Sequence, residues 1–363
     1  MAEERPLQTP PMQTPSSVHL DAEIHEKSDS LLIFTSVRPR LFGIAYRMLG
    51  SAAEAEDIVQ DVWLRWQQSA NRSTVENPAA YLATITTRLC INVAQSAQSR
   101  RETYIGTWLP EPVDTSADPG VGAERDEALK LAVLLLLEKL SPTERAAYVL
   151  REAFDYSYRE IADILQMEEA NARQLVTRAR KHVVEGRRTS VSPGEQRRLL
   201  EAFVTAAQNG DMAALEALFA EDVVSYSDGG GLVRAAGPVS GRKRVAAFVA
   251  ALSWCWKGVT LDWLETNGQA AVLILHDGVP FGLTVDASAQ GINEIMWFLR
   301  PSKLAAVSKS VQRVGEGPAV RRVPSEAAFT DYVGVAHSAA GESATRKLSF
   351  AATHAGHQGS SRH

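Results

Sequence analysis

The stretch SYREIADILQ, residues 157–166, and the stretch EANARQLVTRARKHV, residues 169–183, decide how the first half of the chain folds. The first predicts a short helix that begins with the capping box Ser157-Tyr-Arg-Glu160. The second has apolar residues three and four positions apart, which buries one helix face and turns a face rich in Arg, Gln and Asn outward. A helix, a tight turn and a second helix of this composition predict a helix-turn-helix that binds DNA.

The second of these helices carries the residue types that read bases. Arg pairs with guanine, and Asn or Gln pairs with adenine, whereas Tyr158 and Arg159 at the start of the first helix are better placed for phosphates. The predicted DNA contacts are Tyr158, Arg159, Asn171, Arg173, Gln174, Thr177, Arg178, Arg180 and Lys181. The alternative is an ordinary surface helix whose charges are paired with one another.

Charge and composition limit the classes of protein to which the chain belongs. The net charge is −5, so any contact with nucleic acid must come from a local patch. Such a patch lies between Asn171 and Arg188, where six Lys or Arg stand against one acid, Glu185. Cys90 and Cys255 have no metal-like spacing, and the longest apolar run, 131–137, is too short for a membrane span. We expect a cytoplasmic protein without metal, cofactor or membrane partner.

Further helical segments precede the helix-turn-helix. Residues 33–49 are apolar with helical spacing, and the capping box Ser141-Pro-Thr-Glu144 predicts the start of another helix. A capping box, Ser51-Ala-Ala-Glu54, predicts a helix that runs to about residue 67 and buries Ile58, Val59, Val62 and Trp66. Its outer face carries Asp57, Gln60, Asp61 and Leu64, a set that is either an ordinary solvated face or a docking surface. Asn77-Pro78 starts a further helix, on which Arg88, Asn92, Arg100 and Arg101 are candidate DNA contacts.

The second half of the chain has a different pattern. Two helices, 195–209 and 212–219, precede a strand near 223–226, a glycine turn DGGG at 228–231 and a helix at 241–252. Four strands then follow at 259–265, 270–276, 279–286 and 292–299, with hairpin signals at Asn267-Gly268 and Asp277-Gly278. Helices followed by antiparallel strands predict an α+β domain with a curved sheet.

Several long segments resemble a known family. RLFGIAYRMLGSAAEAEDIVQDVWLRW at 40–66 resembles region 2, and LSPTERAAYVLREAFDYSYREIADILQ at 140–166 resembles region 4, of an extracytoplasmic-function (ECF) sigma factor of RNA polymerase. Residues 195–304 are similar to a SnoaL-like domain, a cone of the nuclear transport factor 2 fold. The fused arrangement resembles the sigma J type, which three motifs support: WLPEP at 108–112, DGGG at 228–231 and PSKL at 301–304.

The resemblance implies a multidomain fold, with two all-α sigma modules (a region 2 helical bundle and a region 4 helix-turn-helix) followed by an α+β SnoaL-like cone. The expected organisation is a disordered tail at 1–25, region 2 at 26–105, a linker at 106–126, region 4 at 127–188, the cone at 192–304 and a poorly ordered tail at 305–363. The implied partners are promoter DNA and core RNA polymerase, through its β′ clamp and β flap. The polymerase-binding residues would be Asp57, Gln60, Asp61 and Leu64.

The same resemblance suggests that the cone regulates the sigma modules in cis. Apolar residues in a linker and glycines at a strand end are not needed by either core, so they suit a contact between domains. The expected interdomain residues are Trp108, Leu109, Pro110, Glu111, Pro112, Asp228, Gly229, Gly230 and Gly231.

Two other classes of function remain open at this stage. One is a stand-alone helix-turn-helix regulator whose cone binds a small ligand. The other is an enzyme with a targeting module, for which the available polar and aromatic residues of the cone are Tyr226, Asp228, Trp254, His276, Asp286 and Trp297. No specific reactive constellation stands out among them, so we predict no catalytic residue.

Overall fold

The computed structural model describes residues 17–69, 72–101, 108–114, 130–186, 189–228, 237–276 and 279–314. Its first half is helical, and its second half combines helices with one sheet. The helices are α1 (Ser17–Leu49), α2 (Ala52–Gln68), α3 (Pro78–Arg101), α4 (Leu131–Leu137), α5 (Pro142–Phe154), α6 (Tyr158–Leu165), α7 (Glu169–Gly186), α8 (Pro193–Asn209), α9 (Met212–Leu218), α10 (Arg242–Ala251) and α11 (Pro301–Val314). Short 3₁₀ turns lie at Arg72–Thr74 and Ser253–Trp256.

Helices α1, α2 and α3 form the first bundle. The chain leaves α1 through Gly50, whose φ of 66° lies in the left-handed region, and the Ser51 side chain then caps α2 by accepting from Glu54 N at 3.2 Å. The predicted inner face of α2 is confirmed, because Val62 and Trp66 are buried together with Ile58 and Val59. The bundle therefore holds α2 with one face inside and one face in solvent.

The N-terminal boundary differs from the expectation of a disordered tail over residues 1–25. Helix α1 begins at Ser17, because the segment from Ser17 to Lys27 contains neither Gly nor Pro and continues directly into the buried part of the helix. Residues 1–16 lie outside the described part of the chain.

Helices α4 to α7 form the second module. Both predicted capping boxes are present, with Ser141 and Glu144 at the start of α5 and Ser157 and Glu160 at the start of α6. Helix α5 ends at Asp155 and α6 ends at Gln166, both with positive φ. The predicted inner face of α7 is buried, which confirms the amphipathic interpretation; its residues are Ala172, Val176, Ala179 and Val183.

The second half is a six-stranded sheet covered on one face by α8, α9 and α10. Its strands are β1 (Phe219–Asp228), β2 (Val239–Ser240), β3 (Thr260–Thr266), β4 (Gln269–His276), β5 (Val279–Ser288) and β6 (Gly291–Phe298), in the order β2-β1-β6-β5-β4-β3. The predicted antiparallel run β3 to β6 is confirmed, whereas β2 and the parallel pairing of β1 with β6 were not predicted. The sheet is therefore mixed.

The opposite face of the sheet joins the core of the helical half. Leu273, Met296 and Phe298 belong to the same buried cluster as the residues of α1 to α7. Helix α11 packs on this face as well, at Gly282, where an added Cβ would lie 2.9 Å from Leu304 Cδ2. This close approach explains why the chain is helical beyond residue 304, where a poorly ordered tail was expected: Leu304 and Val307 are almost fully buried. Residues 315–363 lie outside the described part.

Candidate functional site

The outer face of α2 is open to solvent. Asp57, Gln60 and Asp61 are exposed, and Leu64 exposes 54 % of its surface. On the neighbouring flank, Trp63 packs against the Phe34 ring of α1, with ring centroids 4.8 Å apart. An exposed leucine between carboxylates is a surface that a basic, partly apolar partner fits.

The outer face of α7 is exposed as predicted. Asn171, Gln174 and Lys181 point away from the buried stripe, and Thr177 donates its hydroxyl to Arg173 O at 2.8 Å. Arg159, at the start of α6, is exposed too. Because base edges and phosphates are reached only by side chains in solvent, this geometry suits a helix that enters a DNA groove.

The three arginines of α7 form ion pairs within the module. Arg173 pairs with Glu169 at 3.1 Å, Arg178 with Glu144 at 3.3 Å and Arg180 with Glu152 at 2.6 Å. All three arginine side chains remain more than half exposed, so water screens the pairs and they stabilise the fold little. The predicted arginines are therefore present on the surface and can exchange a carboxylate for a phosphate or a base at small cost.

Tyr158 does not lie freely at the surface. Its ring is half-buried between two guanidinium groups, with Arg151 at 4.8 Å and Arg173 at 4.6 Å from the ring centroid. The ring therefore positions Arg173, a role that helical spacing alone does not predict because the contact joins α6 to α7.

Of the four region 2 candidates on α3, the side chains of Arg88 and Asn92 are described. Arg88 is exposed, and its Nε donates to Ile164 O at 3.0 Å at the end of α6. Asn92 is exposed. Arg100 and Arg101 belong to α3, but their side chains lie outside the described part. The contact of Arg88 with α6 fits the attraction of a cation to the carbonyl end of a helix, and the assignment of Arg88 to DNA stays a prediction.

The WLPEP segment is folded against the first bundle. Leu109 is fully buried, Pro110 and Pro112 are buried, and the Trp108 ring lies directly on Gly50, where a side chain would collide with it. Glu111 Oε2 accepts from Ala52 N at 2.7 Å and from Ala53 N at 3.2 Å. Glu111 thus adds a carboxylate to the start of α2, where free N–H groups and the helix dipole favour an anion.

The cone contacts the same linker through α11. The Lys303 ammonium donates to Leu109 O, pairs with Asp228 and lies 4.9 Å from the centroid of the Trp108 ring. Burial lowers the pKa of Lys303, and the Asp228 carboxylate opposes that shift. Asp228 contacts Lys303 within the cone, so its predicted interdomain role stays a prediction, and Gly229, Gly230 and Gly231 lie outside the described residues.

A second contact comes from the β3–β4 hairpin. Asn267 Nδ2 donates to Tyr46 Oη at 2.8 Å, and Tyr46 donates its own proton to Glu111 O at 2.6 Å. Asn267 also exchanges two hydrogen bonds with Val113, each 2.9 Å long. Burial raises the pKa of Tyr46, so this phenol stays protonated. We call the contacts of residues 108–114 with Tyr46, Asn267 and Lys303, together with the Lys303–Asp228 pair, the linker seam.

Sequence reasoning missed three members of the linker seam. Lys303 is part of the PSKL motif, which supported the family resemblance but did not predict that Lys303 contacts the linker. Asn267 was interpreted as a hairpin residue, which it is, with φ of 54°, but the turn signal does not predict that its amide binds another domain. Tyr46 gave no signal beyond its place among the apolar residues of α1.

Comparisons with known proteins identify the family of the chain. Residues 33–100 match the family model of sigma-70 region 2, and residues 130–183 match that of sigma-70, region 4. The ECF RNA polymerase sigma factor SigJ of Mycobacterium tuberculosis is 37% identical over 60% of this chain and 72% of its own length. The probable ECF RNA polymerase sigma factor SigI of the same organism is 32% identical over 74% of this chain and 92% of its own. The chain belongs to the ECF RNA polymerase sigma factors.

A solved structure covers the cone as well. The crystal structure of M. tuberculosis SigJ aligns with a TM-score of 0.62 and 30% identity, over 76% of this chain and 98% of that one. The predicted sigma J type, with two helical sigma modules and a SnoaL-like C-terminal domain, is thereby confirmed. This ECF sigma factor acts with core RNA polymerase and promoter DNA in transcription initiation, and it is not an enzyme.

Two of the polar and aromatic candidates in the cone of this sigma factor, Trp297 and Asp228, have partners within the domain. Trp297 donates to Ser225 Oγ at 3.0 Å and packs edge-on against Phe203 and Trp256, so aromatic rings occupy the space between helices and sheet. Asp228 is engaged with Lys303 on the other face. Within the described residues, no group of three or more His, Cys, Asp or Glu has a metal-binding arrangement, and no helix is long and apolar enough to cross a membrane.

Proposed function

We propose that the SnoaL-like domain modulates promoter-specific initiation in cis through the linker seam. The observation that carries the proposal is that Lys303 and Asn267, both from this domain, bind the linker whose Glu111 lies on the first turn of α2. Undocking of the domain would break the contacts of both Lys303 and Asn267 with the linker at once.

The linker connects the domain to the polymerase-facing helix. Ala52 N and Ala53 N at the start of α2 are satisfied by Glu111, and Glu111 N in turn donates to Gly50 O at 2.7 Å. The orientation of α2 therefore depends on the position of residues 108–114. Because domain and linker share one chain, even a weak contact is well populated.

The outer face of α2 is the proposed polymerase surface. Asp57, Gln60, Asp61 and Leu64 would bind the basic β′ clamp, while region 4 would bind the β flap. Reversing Asp57 and Asp61 to Lys should weaken the complex with core polymerase by about 2–5 kcal/mol if the pairs are desolvated. A pull-down at moderate salt measures this, and the same change at Glu195 and Glu201, which lie in the SnoaL-like domain, serves as the control. Full binding by the Asp57/Asp61 variant would refute the assignment.

Helix α7 is the proposed reader of the upstream promoter element. Arg173, Gln174 and Arg178 are the base-reading candidates, with Asn171 and Thr177 beside them; Tyr158, Arg159, Arg180 and Lys181 would favour phosphates or position their neighbours. In region 2, Arg88, Asn92, Arg100 and Arg101 remain candidates for DNA near the melted segment.

A promoter-variant binding series separates these roles. Gln174→Ala should cost about 1–3 kcal/mol and relax the preference at one position. Lys181→Ala should weaken all sequences alike and flatten the dependence on salt. An unchanged sequence preference in both Arg173→Ala and Gln174→Ala would mean that another element reads the promoter.

The test of cis modulation is in vitro transcription with core polymerase. Asn267→Gly removes the amide of the linker seam but keeps the left-handed turn, because glycine adopts positive φ without strain. Gly268→Asn, in the same turn, is the matched control. At equal protein level, Asn267→Gly should change promoter-dependent output several-fold while the control does not. Equal output by wild type and Asn267→Gly, with the domain shown to be undocked by solution scattering, would end the proposal.

The organisation expected from the sequence belongs to the same proposal. Region 2 at 26–105, the linker at 106–126, region 4 at 127–188 and the cone at 192–304 are the functional units, and we extend region 2 toward Ser17 and the cone toward Val314. We expect the chain to act in the cytoplasm, because its partner there is core polymerase. A small ligand in the cone is not part of the proposal, since Phe203, Trp256 and Trp297 pack where it would lie.

A further inference from the structure

Three stacked side chains join three helices of region 4. The centroid of the Tyr158 ring, at the first position of α6, lies 4.8 Å from the Arg151 guanidinium of α5 and 4.6 Å from the Arg173 guanidinium of α7. A guanidinium within about 6 Å of a ring centroid is attracted by the negative face of the ring. We call Arg151, Tyr158 and Arg173 the arginine–tyrosine stack. It links α7 to both of the helices that precede it.

The stack holds the Arg173 guanidinium without hiding it from solvent. Arg173 Nη2 donates to Glu169 Oε1 at 3.1 Å, and the side chain of Arg173 is still 61% exposed. An aromatic ring packs against the flat face of a guanidinium, whereas carboxylates and bases bind the N–H groups at its edge. Arg173 can therefore exchange Glu169 for a base edge while the contact with Tyr158 persists.

Arg173 also occupies a favourable place on α7. It lies near the start of this helix, and the first residues of a recognition helix are those that contact base edges. Arg178 and Arg180 lie further along α7, where they pair with Glu144 and Glu152 of α5. Position on the helix and the stack thus distinguish Arg173 from the other two arginines.

Arg151 is the member of the stack that the sequence did not single out. Its side chain is half-buried, and its Nη1 donates to Tyr156 O at 2.8 Å, just beyond the end of α5. This hydrogen bond holds the Arg151 guanidinium against the Tyr158 ring. The ring itself is half-buried, so its orientation is determined by the module.

We propose that Tyr158 and Arg151 are positioning residues that determine how strongly Arg173 prefers one base pair. The proposal rests on the reading role proposed for α7. Arg173 donates two N–H groups to the O6 and N7 acceptors of a guanine in the major groove, and the Tyr158 ring holds the guanidinium ready for them. A side chain that is already ordered loses less rotamer freedom on binding, so the preference is stronger than that of a free arginine. Tyr158 acts through its ring and not through a phosphate contact of its hydroxyl.

The test is a binding series with the full chain assembled on core RNA polymerase. Promoter duplexes carry each of the four base pairs at every position of the upstream element, and a duplex of unrelated sequence measures non-specific binding. Arg173→Ala first identifies the base pair that Arg173 reads. Tyr158→Leu should then reduce the preference at that same base pair about three- to tenfold, because the guanidinium is no longer held. Affinity for the unrelated duplex should not change.

Conservative variants separate the ring from the hydroxyl. Tyr158→Phe keeps the ring and should keep the wild-type preference at every position. Arg151→Met removes the cation from the other end of the stack and should relax the same base pair by a smaller factor than Tyr158→Leu. Glu152→Gln is the matched control, because it releases Arg180 of the same helix from its carboxylate but leaves the stack intact. Its preference at every position should equal that of the wild type.

A double variant shows whether Tyr158 acts through Arg173. Tyr158→Leu combined with Arg173→Ala should have the preference of Arg173→Ala alone, because no reader remains to be positioned. A further loss in the double variant would overturn the proposal, since Tyr158 would then support the fold of region 4 in general. Should Tyr158→Leu fail to fold by circular dichroism, Arg151→Met alone decides, and an unchanged preference in it overturns the proposal.

The remaining outcomes separate this inference from the reading role of α7. If Arg173→Ala relaxes one base pair but folded Tyr158→Leu does not, the positioning role is wrong and α7 still reads the promoter. If Tyr158→Phe weakens all duplexes alike, the hydroxyl binds a phosphate and the positioning role is again wrong. If Arg173→Ala keeps the wild-type preference, the stack has no reader to position; the reading role of α7 itself fails only if Gln174→Ala is unchanged as well.

Discussion

Two contacts hold the parts of this sigma factor together: the linker seam, which joins the SnoaL-like domain to residues 108–114, and the contact between regions 2 and 4. In the linker seam, Asn267, Tyr46 and Glu111 form a chain of hydrogen bonds, and the one buried cation, Lys303, faces a buried carboxylate. We call the contact between regions 2 and 4 the module seam. There, Arg40 and Arg47 lie against the Phe154 ring, and the buried Arg145 pairs with Glu138 at 2.6 Å while it donates to Met48 O. Both seams therefore contain a buried cation that faces a carboxylate, and they differ in that the linker seam adds the hydrogen-bond chain of Asn267 and Tyr46, whereas the module seam adds arginines against an aromatic ring.

The largest effect is expected when the cation of the linker seam, Lys303, is removed. Lys303→Met leaves Asp228 buried without its partner, which should lower the free energy of opening by about 3–5 kcal/mol. Native-state hydrogen exchange at the amide of Asn267 measures it, because that amide binds Val113 O only while the domain is docked.

A charge-free pair provides the control for this prediction. Lys303→Met combined with Asp228→Leu should recover most of the loss, since no uncompensated charge remains. Equal exchange in the single and double variants would mean that packing of α11, and not the ion pair, docks the domain.

A smaller effect should come from the hydrogen-bond chain. Tyr46→Phe removes one hydroxyl that both donates and accepts, and Asn267→Gly removes its partner, so each should cost about 1–3 kcal/mol of docking. Because the two groups act together, the double variant should cost less than the sum of the singles, by about 0.5–3 kcal/mol. Strict additivity would show that the two groups are not coupled and that the seam is looser than its geometry indicates.

Local patterns predicted most of the helical half and the faces of its helices. The capping boxes at Ser141 and Ser157 and the apolar spacing of α7 depend on residues a few positions apart, so the sequence shows them directly. The exposed set on α2 follows from the same periodicity. The hairpin at Asn267 was predicted for the same reason, whereas the end of α11 depends on a contact with Gly282 that no local signal contains.

Several contacts could not be predicted because they join segments that are far apart in the sequence. Tyr46 and Asn267 are 221 positions apart, and Arg88 and Ile164 are 76 apart, so no spacing rule relates them. Arg88 is an example, because its composition and position predicted a DNA contact but could not show that its guanidinium also reaches the end of α6. The parallel pairing of β1 with β6 is a further case, since the strands are separated by the whole hairpin run.

The smallest effect concerns Glu160 of region 4, whose pKa depends in part on Arg40 across the module seam. Hydrogen bonds from the Ser157 side chain and backbone lower the pKa of Glu160, and the positive charge of Arg40 across the seam lowers it further. A lowered carboxyl pKa adds stability above the ordinary value of 4.5, and this stability is lost as the pH falls through the folded pKa. The module seam should therefore weaken below about pH 4.5, by only a few tenths of a kcal/mol because Glu160 is well exposed. NMR titration of Glu160 checks this: Arg40→Met should raise its pKa slightly, whereas Arg38→Met, whose guanidinium pairs with Glu56 on α2, should not. If Glu160 titrates identically in wild type and Arg40→Met, the Arg40 side of the module seam is open in solution.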